Sequence, residues 1–232
     1  MTSVIADRPC VEVDAEFCRL FQARVVRWYR RVGRDLPWRS STSPYHVAVS
    51  EILLQQTQVS RVLPVFQLFV RRWPKVEDLH RATLKDVKAL TDPLGYHIRG
   101  VWLKALARIV VEKHGGQVPA SIDELRELPG LGSYAASAVY VFGHRRRAAL
   151  LDTNIARVLT RAVGLPADGS LYRDTRRLRL LADELVQHGR TTAHTDHIIL
   201  YLACRVLHAA VRGHVLRAKH IHLVGVPTVA RF

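Results

Sequence analysis

Cysteine is scarce in this chain: Cys10, Cys18 and Cys204 are the only three in 232 residues, and they lie far apart. So few thiols exclude a disulfide framework, and none of them has the close spacing of a Cys-rich metal site. Long apolar runs are missing too. No stretch approaches the roughly 20 residues of a bilayer-spanning helix. The opening MTSVIADRPCVEVDA has neither the basic start nor the apolar core of a signal peptide. A cytoplasmic protein is expected, with its thiols buried or idle. Strand signals are also lacking, since no window alternates apolar and polar residues between hairpin turns. Acidic residues are the minority charge, 20 against 35 Lys and Arg, which leaves a formal net charge of +15.

What is present is hydrophobic and basic. At 48% hydrophobic residues, the chain can bury a core. Its positive excess points to nucleic acid, where each neutralised phosphate releases counterions. Helical spacing runs through 15–32 (Phe17, Leu20, Phe21, Val25, Trp28, Tyr29), 45–59 and 62–73. It continues in 84–90, 101–113, 122–128, 134–142, 153–163, 173–187 and 194–211. The fold class predicted is all-α, in two helical lobes.

One stretch carries more than packing. In LPGLGSYAASAVYVFGHRRRAALLDTN, Leu128–Asn154, Pro129 stops a helix, and Gly130 and Gly132 permit a tight turn into the next one. Such a turn, with Leu131 between the glycines and Ser133 after them, exposes helix N–H groups to a phosphate oxygen or a bridging cation. An ordinary corner between helices has the same pattern. Asp152 precedes a helix start, where it is either an N-cap or a fixed anion. Glu51, Gln55 and Gln58 share one helical stripe, which is a solvated face or a face that reads bases. Arg145, Arg146 and Arg147 suit a DNA-side charge or a solvated helix end.

These segments resemble the helix–hairpin–helix DNA glycosylase superfamily, specifically its mismatch-specific adenine glycosylase branch. LPWR at 36–39, PYHVAVSEILLQQTQVSRVLP at 44–64, LGYHIRG at 94–100, GGQVP at 115–119 and LDTNIARVL at 151–159 carry the likeness in that order. It covers about 15–165 and weakens sharply beyond 170. The resemblance implies a two-lobed fold with a DNA-binding cleft. A flexible tail at 1–14 would precede a terminal lobe of 15–33 and 150–232, and a central lobe of 34–149 would hold the hairpin at 122–142.

For the site, the resemblance implies that Glu51 protonates a ring nitrogen of the departing base and that Asp152 stabilises the cationic sugar. Asn154 would orient groups around that carboxylate. Tyr134 stands where strand-cleaving relatives carry a Schiff-base lysine, so base removal without strand cleavage is expected. Tyr96 matches an intercalating tyrosine, and Gln56 or Gln55 an inserted amide. Arg99 and Arg39 are candidate phosphate contacts. The implied partner is double-stranded DNA with a mismatched or damaged base, bound by a monomer.

Relatives usually add four cysteines that bind a 4Fe–4S cluster, whereas 204–222 keeps only Cys204, so no cluster is expected. A monovalent cation at the hairpin is the one cofactor the pattern allows. His208, His214, His220 and His222 read as DNA-facing or solvated rather than as metal ligands. The sequence ends at Phe232 without the expected length for a domain that reads 8-oxoguanine. Adenine opposite guanine or 8-oxoguanine is the leading substrate. Thymine or uracil opposite guanine is the second, and a DNA-binding module without catalysis the third.

Overall fold

The structure is a computed structural model that describes residues 11–13, 15–41, 43–152, 155–156, 159–160, 178–183 and 221–223. The described chain is helical apart from one short ribbon. In order come β1 (Val11–Val13), α1 (Ala15–Val32), α2 (Pro37–Ser40), α3 (Pro44–Leu54), α4 (Val59–Arg72), α5 (Val76–Arg81) and α6 (Leu84–Thr91). After a 3₁₀ turn at Asp92–Leu94 follow α7 (Ile98–His114), α8 (Ile122–Glu127), α9 (Ser133–Ala138) and a π-helical segment, Val139–Gly143. The last described element is β2 (Ile221–Leu223). The chain divides into two compact units, one of residues 34–147 and one made from both ends, 1–33 and 148–232.

Local chemistry sets the helix starts of the central unit. Ser43 accepts a bond from His46 N (3.4 Å) and Pro44 follows at the first helical position, so α3 begins there. Thr83 does the same for α6, accepting from Asp86 N at 3.1 Å. The buried side of α3 (Tyr45, Ala48, Val49, Ile52, Leu53) packs into a core with Phe66 and Phe69 of α4 and Leu103, Leu106 and Val110 of α7. Trp38 meets Phe66 edge-on at 5.1 Å, and Phe69 meets Trp73 at 4.8 Å, geometries that aromatic quadrupoles favour. Tyr45 Oη donates to the Trp73 carbonyl (3.1 Å), and burial drives its phenol pKa far up, so it stays protonated. At Gly143 an added Cβ would lie 2.6 Å from Pro44 Cα, so the start of α3 packs directly on the π segment.

Three expectations need correction. The helix predicted over 45–59 is interrupted. Helix α3 stops at Leu54, Gln56 takes a left-handed φ of 53°, and α4 begins at Val59. Helices α2 and α5, of 4 and 6 residues, are too short to show a period and went unpredicted. Residues 11–13, assigned to a flexible tail, pair antiparallel with 221–223, Glu12 opposite His222. A three-residue strand whose partner lies at the other end of the chain leaves no local pattern. The helices predicted over 194–211 and most of 153–163 and 173–187 lie outside the described residues, although 155–156, 159–160 and 178–183 are helical.

Candidate nucleic-acid interface and carboxylate positions

The Leu-Pro-Gly-Leu-Gly segment folds as its residues dictate. Leu131 N donates to Leu128 O (3.1 Å) across Pro129 and Gly130, and Gly130 has φ +82°. That is a type II turn, with proline at its second position and glycine where a positive φ is required. Leu128 and Leu131 are buried and anchor both arms, whereas Gly132 and Ser133 are exposed. Gly132 provides the extended cap of α9, and no side chain caps it. The first N–H groups of α9 therefore have no intrahelical acceptor and suit an anion.

Gly130 is constrained twice. Besides its positive φ, a Cβ there would lie 3.1 Å from Trp102 Cβ and 3.2 Å from two Ile52 side-chain carbons. Gly130→Ala is expected to destabilise the protein by about 1–3 kcal/mol, read as a lower urea midpoint.

Glu51 is half-buried in the last turn of α3, the helix on which Gly130 rests. Tyr134 is half-buried in the first turn of α9. Tyr96 is 36% exposed ahead of α7, its ring edge-on to Trp102 at 5.5 Å. Gln56 is exposed in the turn after α3. Gln55 does not join it at the surface, because its Nε2 donates to the Gly130 carbonyl at 2.8 Å.

Arg99 is the clearest correction. Rather than a surface phosphate contact, it is a fully buried arginine. Its Nε donates to Ile52 O at 3.2 Å, and Nη2 donates to Gln55 O and Thr57 Oγ1. The carbonyls that end α3 attract it, since a helix C-terminus carries partial negative charge, and burial lowers its pKa. The Arg99 guanidinium cannot reach a strand from there. Arg39 is half-buried and spends Nη1 on the Arg34 carbonyl (3.0 Å). Arg145, Arg146 and Arg147 are exposed, with Arg145 at a left-handed φ of 54°.

In the unit of both ends, Asp152 is a helix cap. Its Oδ1 accepts from Ile155 N at 2.6 Å and its carbonyl from Ala156 N at 2.9 Å, with Ile155 and Leu159 buried beyond it. Asn154 lies outside the described residues. Asp183, which sequence reasoning missed, accepts a bond from the Ala149 backbone, three positions before Asp152. Burial raises its pKa more than that bond and Arg179 lower it. An acid inside the apolar face at 178–183 was the available signal.

Among the described residues no group of three or more His, Cys, Asp or Glu is placed to hold a metal. Cys204, His208, His214 and His220 lie outside them, and His222 sits in β2. No helix among the described residues is long and apolar enough to cross a membrane.

A type II Pro-Gly turn between two helices, seated on a third that carries an acid, defines a helix–hairpin–helix protein. The chain belongs to the HhH-GPD superfamily of base excision DNA repair proteins, whose family model matches residues 49–186. It is 39% identical over 147 residues to a thymine/uracil-DNA glycosylase of Pyrobaculum aerophilum, covering 62% of this chain and 64% of that one. It is 43% identical over 145 residues to an adenine DNA glycosylase of Mycobacterium tuberculosis, covering 62% and 48%. The chain thus spans less than two thirds of either relative. A solved thermostable thymine-DNA glycosylase superposes with a TM-score of 0.74 at 28% identity, over 84% of this chain and 90% of that one. An endonuclease III trapped on DNA shares the fold, with a TM-score of 0.65 at 18% identity over 82% and 86%.

Proposed function

We propose that this chain is a monofunctional DNA glycosylase that hydrolyses the N-glycosidic bond of a mispaired base, adenine opposite guanine or 8-oxoguanine. The observation that carries the reading is the family match together with Glu51 and Asp152, retained in matching motifs and each held on a helix end. Double-stranded DNA is the partner, gripped by the N–H groups of α9. The turn carbonyls of Leu128 and Gly130 accept Leu131 N and Gln55 Nε2, and each keeps a second lone pair that a monovalent cation bridging to the phosphate would use. The chain acts as a monomer.

In this mechanism the target nucleotide leaves the stack, with Gln56 and Tyr96 filling the gap. Glu51 donates a proton to a ring nitrogen of the base as the C1′–N bond breaks, and the bonding electrons depart with the base. The sugar becomes an oxocarbenium ion, which the Asp152 carboxylate stabilises. Water adds at C1′ and loses a proton, leaving an abasic site. Tyr134 has no amine to form a Schiff base there, so the strand stays intact until alkali is added.

The second reading, removal of thymine or uracil opposite guanine, has its own support in the Pyrobaculum relative and the superposed thymine-DNA glycosylase. Alkali-revealed cleavage of A:8-oxoG, A:G, T:G and U:G duplexes decides between them. Cleavage at an adenine mispair, and only after alkali, is expected. Cleavage at T:G or U:G with adenine untouched would replace the first reading by the second. Binding without cleavage of any duplex would leave a DNA-binding module.

A further inference from the structure

We propose that Gln55 and Arg99 are positioning residues that lock the base-displacing side chains to the strand-gripping hairpin. The proposal rests on the glycosylase reading above for what the displaced nucleotide is, and on geometry for the lock itself. Gln56, the exposed amide of the α3–α4 turn, has a φ of 53°. For a residue other than glycine that conformation is sterically costly, and surrounding contacts can hold it in place.

Arg99 supplies such contacts. Its Nη2 bonds both neighbours of Gln56, the Gln55 carbonyl on one side and the Thr57 hydroxyl on the other, while Nε takes the Ile52 carbonyl. Thr57 Oγ1 also lies 3.3 Å from Gln55 O as a donor, which closes the turn on itself. The same guanidinium lies 5.4 Å from the Tyr96 ring centroid, so one buried cation fixes the turn beneath Gln56 and supports the aromatic.

The lock extends to the hairpin through two contacts. Gln55 Nε2 reaches 75 positions along the chain to the Gly130 carbonyl at 2.8 Å. Tyr96 packs on Trp102, whose Cβ lies 3.1 Å from where a Cβ on Gly130 would stand. Gly130, Gln55, Arg99, Tyr96 and Trp102 therefore form a closed circuit that joins the turn carrying Gln56 to the hairpin that carries Gly132 and Ser133. Grip on the strand and displacement of the base become one rigid placement, and an error of about 1 Å in such a placement can cost on the order of 100-fold in rate.

Gln55→Met tests this, since methionine keeps the length of the side chain but donates nothing to Gly130. It is compared with Gln56→Ala and the double variant, on duplexes carrying 2-aminopurine at the mispaired position. Three quantities are read: duplex affinity, the fluorescence rise on base displacement, and the single-turnover excision rate. Gln55→Met is expected to keep its affinity within about 3-fold while base displacement and excision fall about 10- to 100-fold. If Gln55 acts by placing Gln56, the second substitution adds little to the first, a strongly non-additive cycle.

Additive losses, or affinity falling as far as displacement, would overturn the proposal and leave Gln55 a merely structural residue. An unchanged displacement signal would overturn it as well. Affinity and fluorescence do not require excision. If the wild-type protein excises no base, the glycosylase reading fails while the cycle still decides the lock.

Discussion

Asp152→Asn is expected to lower the excision rate about 1,000-fold while leaving stability and duplex affinity close to those of the wild type. Asparagine is nearly the same shape and caps helices as well as aspartate does. Its Oδ1 can accept the bond from Ile155 N that Asp152 accepts at 2.6 Å. Only the charge is lost, and charge is what the oxocarbenium ion requires. Asp152→Ala loses both functions, so it should match the asparagine variant in rate and also destabilise the protein by about 1 kcal/mol. The pair of variants separates a cap from a catalytic anion. A rate within a few-fold of wild type for Asp152→Asn would reduce Asp152 to a cap and remove the sugar-stabilising step from the mechanism.

Arg99→Ala should show the largest effect on stability, about 3–5 kcal/mol. Removing the guanidinium takes the Arg99 donor from the Ile52 carbonyl and the Thr57 hydroxyl and leaves the Gln55 carbonyl with only the Thr57 hydroxyl, in a partly buried turn. It also empties the volume of a large, fully buried side chain. That is a substantial share of the 5–15 kcal/mol that holds a typical domain together. The urea midpoint should fall with little change in slope. Arg99→Lys keeps the charge at the α3 terminus but not the fork that spans three acceptors, and should fall between alanine and wild type. A loss below about 1 kcal/mol for alanine would mean that the α3–α4 turn relaxes to satisfy its own carbonyls.

Much of the site is legible in the sequence because its chemistry is local. Proline followed by glycine favours a type II turn, and the turn at Leu128–Leu131 has that form. An aspartate ahead of a helical stretch caps it, as Asp152 does. Tyr134 is not a lysine in any fold. Gln55, Gln56 and Arg99 show where local reading stops. Two adjacent glutamines look equivalent, yet a φ of 53° at Gln56 sends one amide to solvent and the other to Gly130. An arginine in a basic chain reads as a surface charge until its acceptors, the carbonyls that end another helix, are known.

By itself, then, the sequence determined the helical character of the chain, the hairpin turn and the cap at Asp152, since each depends on residues a few positions apart. Tertiary structure alone decided that α3 breaks before Val59 and that Asp183 supports the segment ahead of Asp152. It alone turned Arg99 and Gln55 inward, onto partners up to 47 and 75 positions distant. Hydrogen-bond partners at that separation are chosen by packing, which brings unrelated helix ends together, and no neighbouring residue encodes the choice.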